Sequence, residues 1–205
     1  MKDIILATNN EHKVKEMKEI LKDLPVSIYS LKEVDVDVEV EETGDTFIEN
    51  ARIKAEAIYD ILKHRNRKDF IVMADDSGLM VDYLNGKPGV YSARYAGEHG
   101  NTEKNNKKLI DELRGVPYEK RTARFVSAVS LIDEDGEFIE VEGEARGYIV
   151  EEHKGTEGFG YDPLFYVPEK NKTFAEMSGE EKNILSHRGK ALKALRKEIE
   201  RLLNL

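Results

Sequence analysis

The apolar positions of the chain change rhythm several times. Ile4 to Ala7 is an unbroken apolar run of strand length, and Val14, Met17, Ile20, Leu21 and Leu24 then recur at helical spacing until Pro25 stops the pattern. The first unit is therefore a strand, a polar TNN loop and a helix. Phe47, Ala51, Ala55, Ile58, Ile61 and Leu62 predict a second helix, with Thr43 or Asp45 as its cap. Phe70 to Ala74 predicts a buried strand that stops at Asp75 and Asp76; strand pattern resumes at Leu79 and closes at the turn pair Asn85-Gly86. Residues 101 to 114 predict a polar helix with Leu109, Ile110 and Leu113 on one side, ended by Gly115. Arg121 to Ile132 and Phe138 to Val150 predict two long strands joined by the turn DEDG and paired antiparallel. Leu192, Leu195, Ile199 and Leu202 place a helix at the end.

Early alternation of strand and helix, followed by a hairpin, predicts an α/β fold in which helices cover a mixed sheet. No fixed-period repeat or low-complexity tract is present, and no linker rich in Pro, Gly or Ser divides the chain. Residues 1–205 are accordingly read as a single domain, or as two closely packed lobes.

Composition narrows the chemistry. Charged residues make up 36% of the chain and the formal net charge is −9. Such an acidic protein lacks the positive field on which general binding to nucleic acid or anionic membrane rests, so neither is expected as a partner. A polyanionic ligand would need cations gathered locally or supplied as metal. The absence of cysteine excludes disulfides, thiolate metal sites and cysteine nucleophiles. The apolar run in MKDIILATNN is too short for a signal-peptide core, and no stretch approaches the roughly 20 apolar residues of a membrane span. A soluble cytoplasmic protein is the expectation.

Four stretches carry candidate chemistry. ATNNEHK takes a strand directly into a helix, which sets free amides and the small polar side chains of Thr8, Asn9 and Asn10 at the positive end of the helix dipole, with Lys13 one turn on. This is an anion site, although Asn9 or Asn10 equally serves as an ordinary helix cap. ADDSG puts Asp75, Asp76 and Ser77 at the end of a buried strand, where open α/β sheets place ligands. Neighbouring side chains on a strand point opposite ways, so only one of the two carboxylates can face a given metal. Hard oxygen donors without thiolates select Mg²⁺ or Mn²⁺ over zinc. VEETGDTFIENARIKA offers Glu41, Glu42, Asp45 and Glu49 before a helix and Lys54 within it, either to complete a metal site or simply to compensate the dipole. Last, FGYDP at 159–163 and SHR at 186–188 bracket aromatics, an aspartate and Lys182; a turn and a helix start are the plain structural alternatives.

In this order these stretches resemble the inosine triphosphate pyrophosphatase (Ham1-like) family, whose enzymes hydrolyse non-standard purine nucleoside triphosphates. The resemblance runs from Ile5 to about Ala191. The Thr/Ser-x-Asn-x-x-Lys motif is matched by Thr8, Asn10 and Lys13; ETGDTFIENA from Glu42, Lys54, and ADDSGL at 74–79 match in turn. The resemblance implies a two-lobed α/β subunit with a mixed twisted sheet and the active-site cleft between lobes, and a homodimer. It implies a metal ligand at Glu42 and a metal ligand and general base at Asp76, with Asp75 beside it as a further candidate metal ligand, for the Mg²⁺, or Mn²⁺ as a substitute, that the oxygen donors select. Ser77 and Lys54 would touch the substrate. Phe159, Gly160, Tyr161, Asp162, Lys182, His187 and Arg188 would hold the base.

Phe159 and Tyr161 offer faces for purine stacking, at about 1–3 kcal/mol per base. A 6-oxo purine presents an acceptor where adenine presents a donor, so a lysine or arginine there favours hypoxanthine or xanthine. The expected reaction is attack of water on the α-phosphorus of ITP, dITP or XTP, giving monophosphate and pyrophosphate. Two other readings are a related pyrophosphatase of different base specificity, which the FGYDP and SHR pair argues against, and a non-catalytic nucleotide-binding module, which would not need Glu42 and Asp76 together.

Overall fold

The computed structural model describes residues 2–203. Its strands are β1 (Asp3–Leu6), β2 (Ile28–Ser30), β3 (Phe70–Val81), β4 (Thr122–Asp133), β5 (Phe138–Ile149), β6 (Phe165–Val167) and β7 (Lys172–Thr173), hydrogen-bonded in the order β2-β1-β3-β4-β5-β6-β7. β1 runs parallel to β2 and β3, whereas β6 runs antiparallel to β5 and β7, so the sheet is mixed, as expected. The helices are α1 (Glu11–Ile20), α2 (Phe47–His64), α3 (Thr102–Glu112), α4 (Gly179–Leu185) and α5 (His187–Leu202).

Two compact units are distinguished by their internal contacts: residues 1–76, 127–143 and 188–205 form one, and residues 77–126 and 144–187 the other. In the first unit the two-residue period of the strands sorts side chains onto opposite faces. Ile4, Leu6, Ile71 and Met73 pack with Met17 of α1 and with Leu192, Leu195 and Ile199 of α5. Ile5, Phe70, Val72 and Ala74 pack with Ala55, Ile58 and Leu62 of α2. In the second unit Leu79, Leu109, Leu113, Phe165 and Phe174 are among the residues of a single core, where the Phe125 ring lies 4.8 Å from that of Phe165 and 5.8 Å from that of Phe174.

Two expectations are corrected. The α2 cap is Thr46, not Thr43 or Asp45: its side chain accepts from the amide of Glu49, whose carboxylate accepts from the amide of Thr46. A capping box requires an acid three residues after the cap, and of these candidates only Thr46 has one. β3 does not stop at Asp75 and Asp76 but continues through them to Val81. The strand bears its acids because their charge is met by side chains from other elements, so burial of carboxylates does not end it. The Asn85-Gly86 turn is where expected, with both residues at positive φ. The short elements β6, β7 and α4 were not foreseen; each is too brief to show a period in the sequence.

Candidate active site

The first unit gathers one group of charged residues. β1 leads into α1 through Thr8, Asn9 and Asn10. Asn10 is the cap: its side-chain oxygen accepts from the amides of His12 at 3.0 Å and Lys13 at 3.2 Å. Thr8 Oγ1 accepts from the Asn10 amide, and Asn9 Nδ2 donates to the carbonyl of Val38. The polar loop is thus both a helix cap and the amide-rich, positive end of α1.

Lys13 reaches from α1 to β3, where its Nζ lies 2.8 Å from Oδ2 of Asp75. Asp75 is wholly buried. Oδ1 accepts from Ser127 of β4, and Oδ2 pairs at 3.1 Å with Arg188, whose other terminal nitrogen pairs with Glu16. Burial pushes the Asp75 carboxyl upward, but the charges of Arg188 and Lys13, with their hydrogen bonds and that of Ser127, hold it well below the ordinary carboxylate range. Asp76, one residue along the strand, faces a different neighbour: its Oδ1 lies 3.5 Å from Lys54 Nζ. Burial raises the Asp76 carboxyl above its ordinary value against the opposing charges of Lys54 and Lys13. Lys54 of α2 also donates to Glu42 at 2.6 Å and to the main-chain oxygen of Asp75 at 2.9 Å. Its pKa is raised: burial lowers it, and the charges of Asp76 and Glu42 more than offset this.

Glu42 stands on an irregular segment pinned to α2. The amide of Gly44 donates to Asn50 Oδ1 at 2.8 Å, and a Cβ at Gly44 would fall 2.7 Å from that of Glu49. The segment approaches α2 closely only because residue 44 has no side chain.

The second unit holds the other group. Asp162 Oδ2 accepts from Lys182 at 2.7 Å and from the amide of Phe159 at 2.8 Å, and Lys182 Nζ lies 4.9 Å from the Phe159 ring centroid. Asp162 and Lys182 are both buried. Gly158 makes room for this hook, since a Cβ there would fall 2.1 Å from Asp162 Oδ2. His187 stacks on Phe125 at 4.8 Å and 11°. Tyr161 presents no open stacking face: its ring belongs to the core and its hydroxyl donates to the carbonyl of Ser92. Phe159 is half-buried, and the carbonyl of Gly160 accepts from Asn106 Nδ2. Ser77 is half-buried on β3.

A model of the Ham1 family matches residues 4–198. The chain belongs to the Ham1 family. A dITP/XTP pyrophosphatase of Clostridium perfringens is 56% identical over 203 residues, covering 99% of this chain and 100% of that protein. Among solved structures, the Ham1 protein of Staphylococcus aureus is similar with a TM-score of 0.83 and 43% identity, covering 97% of this chain and 98% of that one. A nucleoside-triphosphatase, dITP/XTP pyrophosphatase, of Mycobacterium abscessus gives 0.73 and 44%, covering 95% and 98%.

In this Ham1 chain the residues read from the sequence fall into two sets. Lys13, Glu42, Lys54, Asp75 and Asp76 meet in the first unit, and Arg188 joins them through Asp75. Phe159, Asp162 and Lys182 meet in the second. Among the described residues no three of His, Cys, Asp or Glu cluster as a ready metal cage. Two carboxylates that share one cation, with no thiolate, suit Mg²⁺, which keeps water and phosphate oxygens as its other ligands.

Sequence reasoning missed Glu16, Ser127, Asn50 and Asn106. Asn50 and Asn106 are polar residues on buried helix faces, a detectable signal. Glu16 and Ser127 carried none, because their partners lie more than fifty residues away.

Proposed function

We propose that the chain hydrolyses ITP, dITP and XTP to the nucleoside monophosphate and pyrophosphate, removing non-standard purines from the nucleotide pool. The observation that carries this reading is the Lys54 ammonium set between Glu42 and Asp76, with Lys13 beside it on Asp75. Cations for a polyphosphate and hard carboxylates for a divalent metal converge in a chain whose overall charge is negative. The similarity to dITP/XTP pyrophosphatases along the whole chain supports the same reading.

Glu42 and Asp76 would hold Mg²⁺, or Mn²⁺ in its place, which supplies positive charge to polarise a phosphate oxygen and acidify a water. Asp76, which stands beside Lys54, would accept the proton of the water that attacks the α-phosphorus. The bond from the α-phosphorus to the oxygen it shares with the β-phosphate breaks, and pyrophosphate leaves with that oxygen and the electron pair. Lys13 and Lys54 meet its charge. The amides at the start of α1 and the hydroxyl of Thr8 orient phosphate oxygens, and Ser77 adds a contact.

Phe159 supplies the stacking face. Lys182, held by Asp162, donates to the 6-oxo group of hypoxanthine or xanthine, an acceptor that adenine lacks. Arg188 is engaged by Glu16 and Asp75, so recognition of the base edge falls first to Lys182. Among the described residues no helix is long and apolar enough to cross a membrane. The family resemblance extends this reading to a homodimer, which light scattering on the purified protein checks.

The deciding experiment incubates the protein with ITP and Mg²⁺ and identifies the products. Inosine monophosphate and pyrophosphate are expected, with activity lost in EDTA and regained with Mg²⁺. Orthophosphate would place attack at the γ-phosphorus, and undiminished activity in chelator would remove the metal.

A further inference from the structure

Lys54 is held more completely than contact with a phosphate requires. Its Nζ stands 2.6 Å from Glu42 Oε1, 2.9 Å from the carbonyl oxygen of Asp75 and 3.5 Å from Asp76 Oδ1. An ammonium has three N–H donors; two are hydrogen-bonded here, to Glu42 and to the carbonyl of Asp75, and Asp76 is an ion-pair partner beyond hydrogen-bond length. The side chain is only 11% exposed, so moving its ammonium out to a phosphate draws it away from its carboxylate partners. The two carboxylates it occupies are those assigned above to the divalent cation. Hard oxygens that satisfy an ammonium also satisfy Mg²⁺, so two cations have a claim on one pair of ligands.

We propose that Lys54 is an internal counter-ion that competes with the divalent cation for Glu42 and Asp76, and turns to the triphosphate only when that cation has taken its place. The proposal rests on the metal assignment just made for this site. Its consequence is reciprocal coupling: the cation frees Lys54 for the phosphates, and phosphates that capture Lys54 vacate the carboxylates for the cation. A triphosphate arriving without metal meets a lysine still engaged. Lys54 meanwhile offsets the charge of the buried Asp76 and of the half-buried Glu42, which lowers the cost of leaving acids there uncompensated.

Simple charge neutralisation is a distinct alternative, and Lys13 separates the two. Its charge also acts on Asp76, but its ammonium bonds Asp75, at 2.8 Å to the carboxylate and 3.4 Å to the carbonyl. Removing Lys13 deletes one positive charge from the neighbourhood without vacating Glu42.

The test is titration with Mn²⁺ alone, without nucleotide, followed by the paramagnetic resonance of free Mn²⁺. Lys54→Met is expected to bind Mn²⁺ at least about tenfold more tightly than the natural chain, and Lys13→Met to gain markedly less. No gain in Lys54→Met, or an equal gain in both variants, would overturn the proposal. Should Lys54→Met fail to fold, the natural chain labelled with ¹⁵N-lysine and ¹³C-carboxylates provides the second measurement. Saturating Mg²⁺ is expected to shift the Lys54 ammonium signal together with those of the Glu42 and Asp76 carboxylates. Carboxylate shifts with an unmoved Lys54 signal would overturn it. Both readouts are independent of turnover, so a failure to release pyrophosphate from ITP would count against the proposed reaction and not against this competition.

Discussion

Asp75 and Asp76 are neighbours with opposite surroundings. Strand geometry turns one toward Lys13, Ser127 and Arg188 and the other toward Lys54. The first is stabilised as an anion and the second is raised toward proton acceptance. Asp76→Asn keeps the shape and loses the base, so kcat is expected to fall by about 10² or more, as read by pyrophosphate release. Arg188→Ala leaves the carboxylates of Asp75 and Glu16 without their buried partner. It is expected to cost about 3 kcal/mol or more of unfolding free energy in urea at neutral pH. The sign with pH follows from the depressed Asp75 pKa. Its contribution is present above the unfolded carboxylate value and is lost as pH falls through the folded one, so the gap between natural chain and variant should narrow in acid. In the second group, Lys182→Ala is expected to narrow the ITP to ATP ratio of kcat/KM by at least about tenfold, because adenine never gained from that donor. Phe159→Ala should weaken both nucleotides together, since stacking tolerates either base. Equal losses for ITP and ATP in Lys182→Ala would assign Lys182 a role in holding Asp162 alone.

At the scale of elements, the loop-to-helix junctions do most to place the acids and lysines of the first unit. α1 starts on the Asn10 cap and sets Lys13 within reach of β3. α2 starts on the Thr46 and Glu49 box and carries both Asn50, which pins Gly44, and Lys54, which meets Glu42. Thr46→Ala should therefore cost about 1 kcal/mol of stability, whereas Thr43→Ala should cost a few tenths at most; equal effects in thermal unfolding would contradict the box. β3 is the longest correction to the sequence reading. Its acids suggested a strand end, and the ladder runs on because Lys13, Lys54 and Arg188 arrive from three helices to meet them. Nothing within residues 70–81 reports those helices.

For the whole molecule, each unit is built from separated stretches of chain. In the first, Ile71 and Met73 of β3 pack with Val129 and Leu131 of β4 and with Leu192 and Leu195 of α5. A fragment of residues 1–76 would expose that face, and it is expected to show little persistent structure by circular dichroism and amide exchange. A cooperatively melting fragment would mean that α1 and α2 suffice for this core. The absence of a Pro-, Gly- or Ser-rich linker agrees with the discontinuity, because a unit assembled from several stretches has no single boundary to mark.

The sequence by itself determined the long elements, the mixed α/β class and the family, since apolar periodicity and motif order are local properties of the chain. α1, α2, α3, α5 and the β4–β5 pair were all legible from spacing, within a few residues at their ends. Most of the residues now gathered in the two groups could also be named from their motifs. Tertiary structure decided their partners. That Asp75 is enclosed by Arg188, Lys13 and Ser127, that Arg188 is spent on Glu16 and Asp75, and that Tyr161 belongs to the core were not readable along the chain. Neither was the engagement of Lys54 by three oxygens. The physical reason is range: periodicity reports which face of an element is apolar, whereas the state of a charged group depends on what the rest of the fold brings within a few ångströms of it.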